Sequence, residues 1–243
     1  MDGLLRCSYY AFGPNRLHYC GPDANQEIAA YMKEGIMDPG LESLLKAFRT
    51  MYPYLLHIAR ANKIDNPFDE KVVEAYWIGN ELLDAVDKKE FYRHLIDDQK
   101  INKKLNLKSF GILKNKMRQG AVPHHSFHVL NIWRRTGHLD QEHTLESMDQ
   151  CRISWGKIVS VDGPFVVVKY QPLVLSGGKL SLGEITSKKI TRNLNASLEI
   201  DELKVDDEIT LHWGVICEKI NGKQVAELKK YTNLSLYFAN QTI

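Results

Sequence analysis

The sequence predicts an α+β protein: an α-helical bundle over residues 1–149, then a strand-rich second domain over 150–243 with a C-terminal helix. Two observations carry this reading. Apolar residues recur at helical spacing up to about residue 149. From Cys151-Arg-Ile-Ser-Trp-Gly-Lys-Ile-Val159 onward the pattern turns to β-branched runs, with Phe165-Val-Val-Val168 the densest. A chain of 243 residues is long enough for two ordinary domains.

Residues 1–22 carry two Gly-Pro steps and read as an irregular arm whose aromatics plug the helical core. Asp23 is placed to cap a helix that Gly35 ends, with Gln26 as its capping-box partner. Leu41, Leu44, Leu45, Phe48, Tyr52 and Leu55 mark a second helix, with a kink or break expected at Pro53. Asn66-Pro-Phe-Asp-Glu70 starts a third, expected to run to about Val86. Asp87, followed by Glu90, starts a fourth. Lys100 to Arg118 holds seven basic residues and no acid, the pattern of a solvated helical face. Pro123 opens a helix expected to end at Gly137, and a short helical piece runs from Thr144 to Asp149. Asp162-Gly163-Pro164 turns a β-hairpin. Gly177-Gly178 to Asn195 reads as an inserted hairpin or loop, and Gln224 to Asn240 as the closing helix.

Composition narrows the function classes. The net charge of +2 indicates neither a nucleic-acid nor a membrane partner. No apolar run approaches the roughly 20 residues of a membrane span. Met-Asp-Gly-Leu-Leu-Arg is not a signal peptide, and four widely spaced cysteines fit the reducing cytoplasm better than a disulfide scaffold. No phosphate-binding glycine loop and no nucleophile elbow is present. Lys157 and Lys169 on a barrel would suit nucleic acid only with a series of stacking aromatics, which is missing.

Cys151 with Gly156-Lys157-Ile-Val159, then Asp162-Gly163 and a Val-rich strand, resembles the small nickel–iron hydrogenase assembly chaperones of the HypC/HypG type. Leu203-Lys-Val-Asp-Asp-Glu-Ile-Thr-Leu-His-Trp-Gly-Val-Ile-Cys-Glu-Lys-Ile220 resembles their second signature. Cys151, Gly156, Lys157, His212 and Gly214 fall on matching positions. The likeness covers roughly the last 90 residues and says nothing of residues 1–149. Four departures stand out, one being that the segment from Gln171 to Leu203 is longer than those chaperones need. Cys151 is internal, where the family's cysteine follows the initiator Met. Trp155 replaces a proline. Asp206-Asp207 stands where Gly-Asp is usual. The resemblance implies an OB-like barrel and a cytoplasmic accessory role in hydrogenase maturation. Its partners would be the maturation proteins or the hydrogenase large subunit. Iron would be held through Cys151, with His212 beside it.

A second candidate comes from the residues alone. His124 and His128 at i, i+4 on one helix share a face. With Glu74 or Glu81 from a neighbouring helix they would make an imidazole–carboxylate metal site. This supports the alternative, a metal- or haem-dependent enzyme in the helical part. The plainer reading of the same histidines is a hydrogen-bonded stripe that packs the helix on its neighbours. For Cys151 the chemistry is that of a soft thiolate ligand, which Lys157 or Arg152 would favour if they lay close. Cys217, in an apolar strand, reads as core.

Overall fold

The computed structural model describes residues 1–132, 144–192 and 203–242. The chain opens with a helix, α1, over Gly3–Asn15, where an irregular arm is expected from the sequence. Asp2 caps it through Leu4 N and Leu5 N. Ten of its residues are buried, so it has no wet face and no amphipathic period to betray it. Its aromatics do plug the core: Tyr9 and Tyr10 are fully enclosed.

Helix α2 (Asn25–Glu34) stops at Gly35, whose φ of 64° gives the left-handed cap that the sequence suggests. Its N-cap is Ala24, not Asp23. The expected long second helix is two. In α3 (Pro39–Lys46) Asp38 is the cap, and α4 (Met51–Ala61) takes Pro53 into its first turn. There a missing N–H costs little, so the break falls before the proline. Helix α5 (Glu70–Trp77) ends at Gly79, well short of Val86. Gly79 has φ 103°, and a Cβ there would lie 2.0 Å from the Tyr231 ring. A short 3-10 turn, Glu81–Leu83, follows.

Asp87 caps α6 (Lys88–Asp97) as expected. The basic stretch forms α7 (Ile101–Lys104) and α8 (Leu107–Arg118). Lys116 departs from a solvated face. It turns inward to Asn131 Oδ1 and Thr242 Oγ1, at 3.1 and 3.0 Å, and burial lowers its pKa to about 8. Helix α9 is His125–Asn131 and α10 is Leu145–Cys151, capped by Thr144. The expected helix end at Gly137 lies outside the described residues.

Strands β1 (Ser154–Asp162) and β2 (Phe165–Tyr170) form the expected hairpin. Strands β3 (Leu173–Ser176) and β4 (Lys179–Leu182) pair only with each other, turning at Gly177-Gly178. Strands β5 (Thr186–Thr191), β6 (Glu208–His212) and β7 (Val215–Lys219) complete a five-stranded antiparallel sheet ordered β5-β2-β1-β6-β7. Its edge strands β5 and β7 do not pair, so among the described residues the sheet does not close into the expected OB-like barrel. The β3–β4 hairpin is drawn away instead, onto the last helix, α11 (Gly222–Ala239). Asn240 pairs with both backbone groups of Leu180 at 2.7 and 2.8 Å.

The mixed α+β class is therefore correct. The change of secondary structure near residue 149 falls inside α10, however, and one hydrophobic cluster runs across it from Cys7 to Phe238. Helix α1 is wedged between the two parts. At Gly13 an added Cβ would stand 2.3 Å from the His212 carbonyl oxygen. Among the described residues no helix is long and apolar enough to cross a membrane.

Gly13 and Gly111 are both helical, and this gives a controlled test. Around Gly111 nothing lies within 4 Å. Gly111→Ala is expected to stabilise by about 0.5–1 kcal/mol through backbone entropy. Gly13→Ala makes the same entropic gain but is expected to lose about 1–3 kcal/mol net to the backbone clash. Urea melts of both variants check the sign.

Candidate functional site

The site is built where three elements end. Helix α10 ends at Cys151, strand β6 ends at His212, and α9 begins at His125. The potential ligand atoms of these three side chains all lie within 4.8 Å of one another. Both imidazoles are buried and Cys151 is half-buried.

His212 stands at the tip of the β6–β7 hairpin. Trp213 and Gly214 have φ values of 50° and 72°. Two consecutive positive values are those of a type I′ turn, which suits the twist of a tight hairpin. The turn is pinned from outside. Trp213 N–H donates to the Gln150 carbonyl at 2.8 Å, and Arg16 Nη2 donates to the Trp213 carbonyl at 3.1 Å. His212 Nδ1 lies 2.6 Å from the Tyr10 carbonyl oxygen. A carbonyl only accepts, so Nδ1 carries the ring proton and Nε2 is the bare nitrogen. That Nε2 is enclosed and has no hydrogen-bond partner at good geometry. Burial lowers the His212 pKa to about 4, against the Tyr10 and Cys151 carbonyls, which favour the charged form.

His125 is held at both ring nitrogens. Nε2 donates to the Cys151 carbonyl at 2.8 Å, and Nδ1 lies 3.1 Å from the Tyr76 hydroxyl. Burial sets its pKa well below the ordinary value, and the neighbouring His212 lowers it further. The Trp77 ring packs against both imidazoles, 4.6 Å from His125 and 5.5 Å from His212. The two imidazoles meet edge to face at 5.2 Å.

Two neutral imidazoles and a thiol form a donor set for zinc, iron or nickel. The orphaned His212 Nε2, with its Nδ1–H on a backbone carbonyl, already has the form of a metal-ready histidine. Donors around one such ion sit roughly 3.3–3.8 Å apart, given metal–ligand bonds of about 2.0–2.3 Å. Closing the site needs a contraction of at most about 1–1.5 Å, and His125 Nε2 must release the Cys151 carbonyl.

Of the residues singled out in the sequence, Cys151 and His212 are thus brought together. The imidazole–carboxylate site is not assembled. His124 is the N-cap of α9 instead of part of its stripe, accepting from Ser126 N at 3.1 Å and stacking on Tyr231. His128 faces Tyr54, whose hydroxyl is 2.9 Å from Nδ1. Glu74 accepts from Gln224 at 2.6 Å and pairs with Arg6 at 3.5 Å. Glu81 is exposed on the 3-10 turn. Lys157 ion-pairs with Asp206, and Arg152 turns to Asp149 and the Gln171 carbonyl. Sequence reading missed His125. His124, His125 and His128 all fall at this helix start. The i, i+4 rule then chose the wrong one, because the first of them lies outside the helix.

The buried imidazoles predict a pH dependence of stability. Burial lowers His124 to about 3 and His212 to about 4. In the unfolded chain each lies near about 6.5. As the pH falls the unfolded state takes up protons first, so stability is full above about pH 7 and is lost from about pH 6.5 downward. Each histidine adds a slope of up to about 1.4 kcal/mol per pH unit. Urea melts between about pH 7.5 and 5, above the main carboxylate range, should show this decline. A flat profile would mean that these rings already exchange protons in the folded state.

Comparison with known proteins adds membership without activity. No curated protein and no solved structure matches the chain. A family model matches residues 1–243, so the chain belongs to the family of unknown function DUF6390.

Proposed function

We propose that this protein binds a transition metal, iron foremost, through Cys151, His125 and His212. We propose further that it does so as a cytoplasmic accessory protein of nickel–iron hydrogenase maturation. The observation that supports this reading is a convergence. Cys151 and His212 were singled out by likeness to the assembly chaperones, and they meet in one cluster. Local geometry adds to it. Asp206 stands where those chaperones have glycine, and it takes φ 76°, a backbone conformation that glycine adopts most readily. Asp207 then closes the turn by accepting from Lys204 N at 2.8 Å.

When bound, the metal would supply a Lewis-acidic centre with a coordination position left for a further ligand. The chain's own residues do the rest. His212 presents Nε2 because Tyr10 holds its other nitrogen. Trp77 packs on both imidazoles. Cys151, half-buried at the end of α10, offers a soft donor. None of the four cysteines is in a disulfide, which suits a reducing compartment.

The alternative, a metal- or haem-dependent enzyme in the helical part, now shares this site, since His125 comes from the histidine-rich helix. What favours the carrier is the likeness of the Cys151 and His212 stretches to the assembly chaperones, which the enzyme reading lacks.

Cys151→Ser tests the proposal. Serine is a hard donor and does not replace a soft thiolate. The variant should fold, yet lose most of its iron and its capture of the hydrogenase large subunit or maturation scaffold in anaerobic pull-downs. Cys217→Ser is the control. Cys217 is fully buried, with Sγ 3.7 Å from the Val215 carbonyl. Its replacement should cost about 1–3 kcal/mol in a melt and leave metal content unchanged. Full iron and partner capture by Cys151→Ser would discard the chaperone reading.

A further inference from the structure

We propose that Tyr76 is the positioning residue that lets His125 change which ring nitrogen it offers, a role that rests on the metal site proposed above. Tyr76 lies on α5 and is 1% exposed. Its ring is fixed by packing, 5.4 Å from His125 and 5.3 Å from Tyr54. Its hydroxyl reaches the Nδ1 edge of His125, while the Nε2 edge faces Cys151.

His212 and His125 are held in opposite forms. His212 keeps its proton on Nδ1, against Tyr10, and shows a bare Nε2. His125 keeps its proton on Nε2, against the Cys151 carbonyl, and Tyr76 O–H donates to its Nδ1. A metal between Cys151 and His212 takes His125 by the edge on that side, Nε2. The ring proton then has to sit on Nδ1. A hydroxyl both donates and accepts, so Tyr76 serves the two forms in turn. It donates to Nδ1 before loading and accepts from Nδ1–H afterwards. A carboxylate or a carbonyl in its place would fit only the loaded form. The exchange leaves the proton count of His125 unchanged, and the proton lost on loading is that of the Cys151 thiol.

The test is an anaerobic titration of the full chain with cobalt(II), comparing wild type, Tyr76→Phe and Cys151→Ser. It is read by the cobalt absorption bands and accompanied by thermal melts. Phenylalanine keeps the ring and removes the hydroxyl. Tyr76→Phe removes a bond from both forms, but metal binding polarises the imidazole and makes Nδ1–H the stronger donor, so the variant should weaken cobalt binding about 10- to 100-fold. Cys151→Ser should abolish the thiolate-to-cobalt band. Nitrogen-15 spectra of histidine-labelled wild type give a second readout. The His125 ring proton should be on Nε2 before cobalt(II) or diamagnetic zinc(II) is added, and on Nδ1 in the zinc-loaded form. If Tyr76→Phe binds as tightly as wild type or tighter while Cys151→Ser fails, the role of Tyr76 is overturned and the site stands. If all three proteins bind alike, the site itself is wrong. Should Tyr76→Phe not fold, the wild-type spectra decide. A proton that stays on Nε2 in the zinc form overturns the inference.

Discussion

The buried pairing of Arg6 with Glu218 is the constraint on which the rest of the structure depends. Glu218 Oε1 accepts from Arg6 Nε at 3.0 Å, from Arg6 Nη2 at 2.9 Å and from the Tyr10 hydroxyl at 2.6 Å. Both charged side chains are almost wholly enclosed. Burial works against the charge on Arg6, but Glu218 and Tyr10 outweigh it and its pKa is raised. Such a pair adds little net stability, because desolvation offsets attraction. Its value here is positional. It locks α1 onto β7 at one rotation, since any other would leave a buried charge without its partner, at a cost of about 3–5 kcal/mol. That rotation aims the Tyr10 carbonyl at His212 and stacks the Tyr10 ring on Trp77 at 5.1 Å. Trp77 in turn touches both imidazoles. The geometry of the candidate site is thus inherited from an ion pair that takes no part in it.

The same lock explains why the helical and strand-rich segments share one core. A two-domain reading follows naturally from the change of period, because sequence order shows where secondary structure changes and not which faces meet. Helix α1 supplies what the period cannot show. It lies at the start of the chain, yet it packs on α2, α5 and the last two strands of the sheet. Gly13 has no side chain where the His212 carbonyl comes close. The consequence for function is direct. His125 comes from the first segment, His212 from the second, and Cys151 from their junction, so neither segment alone contains the site.

Much of this was legible, and the failures have physical causes. The β1–β2 hairpin was plain because Asp162-Gly163-Pro164 combines a required turn chemistry with β-branched flanks. The cap at Asp87, the stop at Gly35 and the switch of period near Cys151 were equally local. Helix α1 was hidden because burial on every side erases the amphipathic signal. The end of α5 was misplaced because a lone glycine inside a helical pattern gives only a weak stop signal, yet here Gly79 takes φ 103° and its N–H bonds back to the Glu74 carbonyl at 2.8 Å. At the site, Cys151 and His212 were reached through likeness to a known family, while His125 was passed over. Its neighbour His124 leaves the helix as the N-cap, and this shifts which histidines share a face. A capping histidine is uncommon enough that spacing alone favours the wrong pair.

What the three corners of the site have in common is unequal restraint, and that bears on what kind of metal site they can form. His212 is fixed by a backbone carbonyl and a pinned turn. His125 is fixed at both nitrogens but has to give up one bond to bind. Cys151 sits at a helix end, half-buried, with its carbonyl engaged and its side chain packed against the cluster that includes Val129 and Met148. A structural metal site is normally closed by four protein ligands that fold around the ion. Here three are present in the cluster, two of them buried beside the Trp77 ring and the third half-buried. The Arg6–Glu218 lock and the Tyr10–Trp77 stack define the framework around these donors, while closing them on an ion still requires the contraction and the release of His125 Nε2. For the metal site proposed above, a framework set in advance whose ligands must still shift to close would favour receiving and handing on an ion over holding it for the life of the protein.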